Sequence, residues 1–309
     1  MKAVAYYRYG GPEVMQLADL PQPTLRPGHA LVKIEAASIN PVDWKLRGGL
    51  LRLIMGKKFP RVMGADLAGT IQAIDGDSDL KRGDAVFGFT PPTEPPGSLA
   101  EFCLVPLDRL APLPKGLTMA EAAALPCVGV TAYTALITKG RLRAGQRVLV
   151  NGCTGGIGHI AVQIAKAYGA HVTGTCRTAS VPLARSLGVD EIVDYTQEDI
   201  RLTSKRFDQI LETSSSLSFF QARAIMSDTS NFLDPDLNLQ YLIFGLGRKH
   251  YHPISANVRR SALLQLTQMV EAGQIRPTVG ETVALNDAIP AITAIERGKS
   301  VNGKAIFIP

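Results

Sequence analysis

The run Gly152-Cys153-Thr154-Gly155-Gly156-Ile157-Gly158 constrains this chain more than any other segment. Before it stands the apolar stretch Arg147-Val148-Leu149-Val150-Asn151, which reads as a strand. After it, apolar residues recur with helical period at Ile157, Ile160, Ala161, Ile164, Ala165 and Tyr168, until Gly169 ends the pattern. Glycines let a backbone approach an anionic group closely, and a helix N-terminus aims its N–H groups at that anion. The strict G-x-G-x-x-G spacing is not met, because the turn is one residue longer. Taken alone it would be an ordinary glycine-rich turn. Placed after a strand, before an amphipathic helix and within a βαβ unit, it predicts a dinucleotide site. The pyrophosphate contacts fall on Gly152, Thr154, Gly155, Gly156, Ile157 and Gly158.

The strand-helix alternation continues beyond this turn. Strands are expected at His171–Thr175, Glu191–Val193, Phe207–Leu211 and Gln240–Phe244, with helices near 180–187 and from Asn257 to Ala272. This is the pattern of a doubly wound parallel sheet. Before residue 120 the pattern differs. Alternating segments such as Ala30–Glu35 and Gly69–Ile74 are separated by turn signals at Arg26-Pro27-Gly28, Asp75-Gly76-Asp77 and Gly83-Asp84. The proline-rich run from Thr90 to Gly97 is a stiff loop, and the terminal Lys304–Ile308 reads as a strand that returns to the first domain. The fold class is therefore α/β, with one domain over 1–122 and 273–309 and a dinucleotide domain over 123–272. At 309 residues the chain suits two domains of about 150 residues each.

Bulk properties exclude several functions. The net charge of +6 is mild and its basic residues are scattered, which suits an anionic cofactor rather than nucleic acid. No apolar stretch reaches the roughly 18 residues of a membrane helix, and the N-terminus reads as a strand rather than a leader. No membrane partner and a cytoplasmic location are therefore expected. The four cysteines (Cys103, Cys127, Cys153, Cys176) form no Cys-x-x-Cys pair, so no structural zinc or disulfide framework is expected. His250 and His252 lie in an extended segment that reads as a surface loop.

The choice of nicotinamide cofactor is read at the end of the second strand of the dinucleotide domain. A carboxylate there would bind the ribose hydroxyls of NAD. This chain has Cys176 and Arg177 instead. Nothing repels a 2′-phosphate, and a guanidinium can pair with one. NADPH is the expected cofactor, unless Arg177 is a solvated loop residue.

In several segments the chain resembles the medium-chain dehydrogenase/reductase superfamily, and within it the zinc-free quinone oxidoreductase branch. They are Asn40-Pro41-Val42-Asp43-Trp44-Lys45-Leu46-Arg47, Met63-Gly64-Ala65-Asp66-Leu67-Ala68-Gly69, Gly83-Asp84-Ala85-Val86-Phe87-Gly88, Leu125–Tyr133, the glycine turn and Leu187-Gly188-Val189-Asp190. The resemblance implies a GroES-like β-barrel domain beside a Rossmann domain. In zinc members of the superfamily three side chains hold the metal, and the matching places here are Asn40, Ala65 and Cys127. One ligand of three remains, whereas catalytic zinc normally takes three from the protein. No metal is expected, and Cys127 then serves as a small packed side chain.

Without a Lewis acid the resemblance implies hydride transfer to a quinone or an enone, where charge spreads over a conjugated system. Lys45 is then the donor to the developing oxygen, or a surface lysine on its helix. Asn40 orients nicotinamide or substrate, and Asp43 holds Lys45 or a ribose. Trp44 forms an apolar wall or packs in the core, while Tyr133 is a second donor or a packing residue. Further cofactor contacts implied by the resemblance are Thr131, Tyr195, Phe244 and Asn302. Two departures stand out. The segment after the fourth Rossmann strand reads Glu212-Thr213-Ser214-Ser215-Ser216 in place of Val-Gly or Gly-Gly, and Ser227–Asp236 reads as a longer polar loop. The short segment between Gly247 and Asn257 leaves a homodimer open. Two alternatives stand beside the reductase: an enoyl-thioester reductase, and a non-catalytic NADPH-binding protein of the lens-crystallin kind.

Overall fold

The computed structural model describes residues 1–91, 97–236 and 249–309. The expected strand Gln240–Phe244, with Phe244 itself, lies outside the described residues. The chain forms two compact units, one of residues 1–127, 258–271 and 277–309, the other of residues 128–257 and 272–276.

The first unit begins with eight strands: β1 (Lys2–Tyr6), β2 (Met15–Asp19), β3 (His29–Ser38), β4 (Arg61–Val62), β5 (Asp66–Asp75), β6 (Ala85–Phe89), β7 (Phe102–Pro106) and β8 (Leu110–Pro112). Strand β1 pairs antiparallel with β2 on one side and β4 on the other. Strands β3, β5, β6 and β8 follow one another as antiparallel neighbours, and β7 also pairs with β3. Two short helices join β3 to β4: α1 (Pro41–Arg47), with proline in its first turn, and α2 (Arg52–Met55). Helix α3 (Met119–Ala123) starts on a capping box in which Thr118 and Glu121 satisfy each other's backbone N–H groups.

The chain leaves this unit within α4 (Pro126–Tyr133) and, among the described residues, builds six parallel strands: β9 (Arg147–Asn151), β10 (His171–Cys176), β11 (Glu191–Asp194), β12 (Phe207–Glu212), β13 (Met226–Asp234) and β14 (Tyr251–Pro253). Their order is β11-β10-β9-β12-β13-β14, the doubly wound order that puts a switch point at β9. Helices α5 (Gly158–Ala167), α6 (Val181–Ser186) and α7 (Phe219–Ala222) belong to the same unit.

Strand β13 corrects the reading of Ser227–Asp236 as a polar loop. Phe232 and Leu233 are buried within that polar stretch. Phe232 stacks on Tyr251 at 5.9 Å and meets Phe219 edge-on at 5.7 Å, while the Tyr251 hydroxyl donates to Asp234 at 2.6 Å. Packing of three aromatic rings outweighs the low strand propensity of serine and aspartate. The segment around His250 and His252 is likewise no surface loop. It pairs with β13, His250 Nδ1 lying 2.8 Å from Ser230 O and His252 Nε2 2.8 Å from Asn231 Oδ1.

Helix α8 (Arg260–Glu271) then belongs to the first unit, where the sequence had assigned it to the dinucleotide domain. Its buried face is Leu263, Leu266, Met269 and Val270. Arg260 donates to Asp79 at 2.8 Å, Arg259 pairs with Asp108, and Glu271 accepts from Lys115 N at 3.2 Å. The sequence boundaries at 122 and 272 thus move to 127 and to the segments flanking α8. The chain ends with β15 (Val279–Ala284), α9 (Ala288–Glu296) and β16 (Lys304–Ile308), and β16 lies between β15 and β3.

Arg47, at the end of α1, is fully buried in the first unit. Its Nη2 contacts both carboxylate oxygens of Glu296 at 2.8 and 2.7 Å, and its Nε donates to Gly10 O at 3.2 Å. A buried guanidinium is tolerated only with such partners. Arg47→Ala should destabilise this unit by about 3 kcal/mol. The single tryptophan, Trp44, packs on the same core, so its fluorescence during urea unfolding reports the change. A shift in midpoint no larger than that of an exposed Arg8→Ala control would show that Arg47 does not hold α1.

Candidate functional site

In the second unit, β9 runs into the glycine turn and the turn into α5. Gly152 takes φ +87°, a left-handed conformation that glycine adopts freely, and its Cβ would meet the Thr213 hydroxyl at 2.8 Å. At Gly158 a Cβ would lie 2.1 Å from the Gly152 carbonyl oxygen, so the first turn of α5 can pack on the strand end only through glycine. The turn is tied down by Gly155 N donating to Gly152 O at 3.1 Å and Gly152 N to Thr175 Oγ1 at 2.9 Å. Thr154 and Gly158 are buried, while Gly155, Gly156 and Ile157 stay partly open. A compact turn of this kind at the start of an α-helix fits the pyrophosphate of a dinucleotide.

A cavity of about 660 Å³ opens beside it, lined by Asn151, Gly152, Thr175, Tyr195, Arg201 and Ser214 among others. Its floor is a network that sequence reasoning noticed only as a departure. Glu212, buried at the end of β12, accepts from Asn151 Nδ2 at 2.6 Å, Ser214 N at 2.7 Å and Ser214 Oγ at 2.8 Å. It also accepts from Leu217 N at 3.2 Å and Ser216 N at 3.4 Å. Burial pushes its carboxyl above the ordinary range, and these donors oppose the shift. Asn151 Oδ1 in turn accepts from Thr175 Oγ1 at 2.5 Å. The ends of β9, β10 and β12 are therefore locked at the cavity floor. The signal in the sequence was an acid at the end of an apolar strand followed by four hydroxyl residues. Arg201 was also missed: it lines the cavity and pairs with Asp199 at 2.6 Å.

The other residues expected in this unit lie as follows. Tyr195 is 59% exposed on the cavity wall. Cys176 ends β10 and is buried against Cys153, burial pushing both thiols up. Arg177 begins the turn after β10, half-buried, with Nε on Ser180 Oγ at 3.3 Å. Thr131 is buried in α4. Tyr133 ends that helix 3.4 Å from the Tyr168 hydroxyl, and this hydrogen bond, with desolvation, pushes its phenol up to about 12. An acid that weak is a poor proton source near neutrality.

In the first unit a buried polar cluster gathers Asn40, Asp66 and Lys304, with Asp43 beside it. The Lys304 ammonium donates to Asn40 Oδ1 at 2.7 Å and to Ile39 O, and lies 3.6 Å from Asp66 Oδ2. Asp66 Oδ2 accepts from Asn40 Nδ2 at 2.8 Å and Ser38 Oγ at 3.2 Å, and its Oδ1 accepts from Cys127 N at 2.9 Å. Burial raises the Asp66 carboxyl, with Lys304 the largest opposing influence. Asp43 accepts from Asn40 N at 2.7 Å and so caps α1, and its Oδ1 is buried without a hydrogen-bond partner. Lys45 sits half-buried on the same helix. Burial pushes the Asp43 carboxyl up to about 7. Asn302, half-buried, precedes Gly303 at the start of β16.

The places matching zinc ligands do not fit a divalent cation. An ammonium group is already bonded to Asn40, and Ala65 offers no donor. Among the described residues no three His, Cys, Asp or Glu side chains form a metal-binding group.

Known proteins agree with this architecture. The alcohol dehydrogenase GroES-like domain family matches residues 26–115, and the zinc-binding dehydrogenase family matches residues 156–229. The chain is 31% identical, over 99% of its length and 96% of the relative's, to the chloroplast envelope quinone oxidoreductase homolog of Arabidopsis thaliana. It is 30% identical to a mitochondrial NAD(P)H oxidoreductase of Homo sapiens, over 99% of this chain and 89% of the relative. The solved quinone oxidoreductase of Coxiella burnetii superposes with a TM-score of 0.90 at 27% identity, covering 100% of this chain and 99% of that one. The chain belongs to the quinone oxidoreductase branch of the medium-chain dehydrogenase/reductase superfamily. Its two units are thus a GroES-like domain and a Rossmann-type domain, and membership makes it an oxidoreductase of the nicotinamide-dependent kind.

Two outcomes follow from this geometry. Gly158→Ala should weaken binding of a nicotinamide dinucleotide at least tenfold in calorimetry, because the clash is with backbone; unchanged affinity would place the phosphates elsewhere. Asp43 titrates near 7 when folded, against 3.8 for an unperturbed aspartate. Between these values the folded chain holds the extra proton, so stability falls as pH rises from about 4 through 7 and levels off above. Asp43→Asn should flatten that slope in urea titrations across this range, and an unchanged slope would assign it to other groups.

Proposed function

We propose that this chain is an NADPH-dependent reductase that delivers hydride, without a metal, to quinones or to α,β-unsaturated carbonyls. The observation that supports the reading is that Asn40, at a place where the resemblance sets a metal ligand, is bonded to the Lys304 ammonium and to Asp66. Bound NADPH supplies the hydride. The turn from Gly152 to Gly158, with Thr154 and Ile157, takes the pyrophosphate, and Tyr195, Thr131 and Asn302 complete the cofactor contacts. Arg177 meets the 2′-phosphate, since β10 ends without the carboxylate that would repel it. All four cysteines are free, as suits the reducing cytoplasm to which we assign the protein.

Lys45 is the donor to the oxygen that gains charge during transfer. Helix α1 presents it from a rigid base, capped by Asp43 and pinned by Arg47. Asn40 acts chiefly by position: its side-chain oxygen and nitrogen engage Lys304 and Asp66, which fixes the start of α1. No route through metal-bound oxygen is needed, because the conjugated acceptor delocalises the charge that one donor then stabilises.

Three acceptors test the reading: 1,4-benzoquinone, 9,10-phenanthrenequinone and a small enone, each followed by loss of NADPH absorbance. Oxidation by at least one is expected, with NADPH preferred over NADH. Lys45→Ala should lower kcat roughly a hundredfold at unchanged NADPH affinity. Arg177→Ala should raise the KM for NADPH about tenfold or more and leave that for NADH alone. Failure of all three acceptors would favour a non-catalytic binding protein.

A further inference from the structure

In the first unit, α2 carries the most exposed apolar side chains of any contiguous stretch described. Leu53 is 94% exposed, Ile54 78% and Leu50 50%. A lone exposed leucine needs no explanation, but three within five residues on one tip do. The tip is not a loose end. Arg61, itself buried, donates to Met55 O, and the Tyr9 hydroxyl donates to Gly56 O at 2.6 Å. Met55 is buried beneath, and Tyr9 meets Phe59 edge-on at 5.1 Å. The fold thus holds Leu50, Leu53 and Ile54 outward on a rigid base.

Charge identifies what the tip fits. From Trp44 to Ala65 the chain carries no Asp or Glu. Arg52, Lys57 and Lys58 lie within a few residues of these apolar side chains in the chain, are exposed, and make no ion pair among the described residues. Exposed apolar groups in a short segment that also carries three exposed cations and no acid match an anionic lipid surface, where leucine and isoleucine enter the headgroup-acyl boundary and lysine and arginine meet phosphates. A second copy fits less well, because an isologous contact would set the same cations against one another.

We propose that the α2 tip docks this protein peripherally on an anionic membrane surface. The sequence pointed to no membrane partner, on the lack of a spanning segment, and docking of this kind needs none. The inference does not rest on the reductase reading, because binding is measured without substrate.

The test is co-sedimentation of the full chain with sucrose-loaded vesicles, of phosphatidylcholine alone or with phosphatidylglycerol added. Binding to the mixed vesicles is expected, at least tenfold tighter than to phosphatidylcholine alone, and weakening with added salt. Leu53→Ser with Ile54→Ser should weaken it at least tenfold. Lys57→Gln with Lys58→Gln should weaken it roughly thirtyfold, on about 1 kcal/mol per charge. Circular dichroism checks that each variant folds, as exposed positions allow. Absent binding to the mixed vesicles, or binding that either double substitution leaves unchanged, would overturn the proposal. So would a wild-type dimer that fails to bind vesicles and that Leu53→Ser with Ile54→Ser turns into a monomer, which would make the tip a contact between copies.

Discussion

The first unit is organised around the buried ammonium group of Lys304. An ammonium group removed from water costs several kcal/mol unless partners replace its hydration. Lys304 finds them in Asn40, Ile39 O and Asp66. These partners come from the end of β3 and the start of β5, while the lysine comes from the last strand. Asp66 reaches on to the backbone of Cys127 in α4. Segments more than two hundred residues apart are thus obliged to meet. Breaking any member leaves another buried and unpaired, so the register of β16 against β3 is fixed electrostatically as well as by the ladder. Helix α1 inherits its position from this arrangement, because Asn40 precedes its first residue. The side chains that α1 presents, Lys45 among them, are therefore aimed by a contact with the far end of the chain.

Two acids lie in that neighbourhood, and their surroundings differ. Asp66 has donors on both oxygens as well as the ammonium group. Asp43 has a backbone donor on Oδ2, while its Oδ1 has no hydrogen-bond partner. Burial raises both carboxyls, Asp43 to about 7, and the negative charge of Asp66 adds to the shift at Asp43. The cap of α1 is thereby neutral below that value and charged above it.

Much of this was legible beforehand. The turn at Gly152 announced itself through spacing and flanks, and β16 through the pattern of Lys304–Ile308. What was not legible depends on contacts between distant segments. Lys304 read only as the first residue of a strand, because nothing local distinguishes a buried ammonium from an exposed one. The polar string before Phe232 hid β13, since the aromatic partners that stabilise it, Phe219 and Tyr251, lie elsewhere in the chain. Helix α8 had the right period, but its allegiance to the first unit rests on Asp79, Asp108 and Lys115, which no periodicity can indicate.

The same device recurs in the second unit. Glu212 stands at a strand end beside a cavity suited to a phosphate-rich ligand, where a bare carboxylate would repel it. The carboxylate is instead turned inward and accepts from five donors on Asn151, Ser214, Ser216 and Leu217. Its charge is spent on holding β9, β10 and β12 together, and Ser214 and Ser216 become part of the cavity lining. Here the acid and the serines must change together. A glycine at Ser214 would strip the carboxylate of its hydroxyl donor, and an apolar residue at 212 would take from Asn151 Nδ2 its shortest bond. The Glu-Thr-Ser-Ser-Ser segment thus acts as one support, joining the ends of β9, β10 and β12 through Glu212 and Asn151.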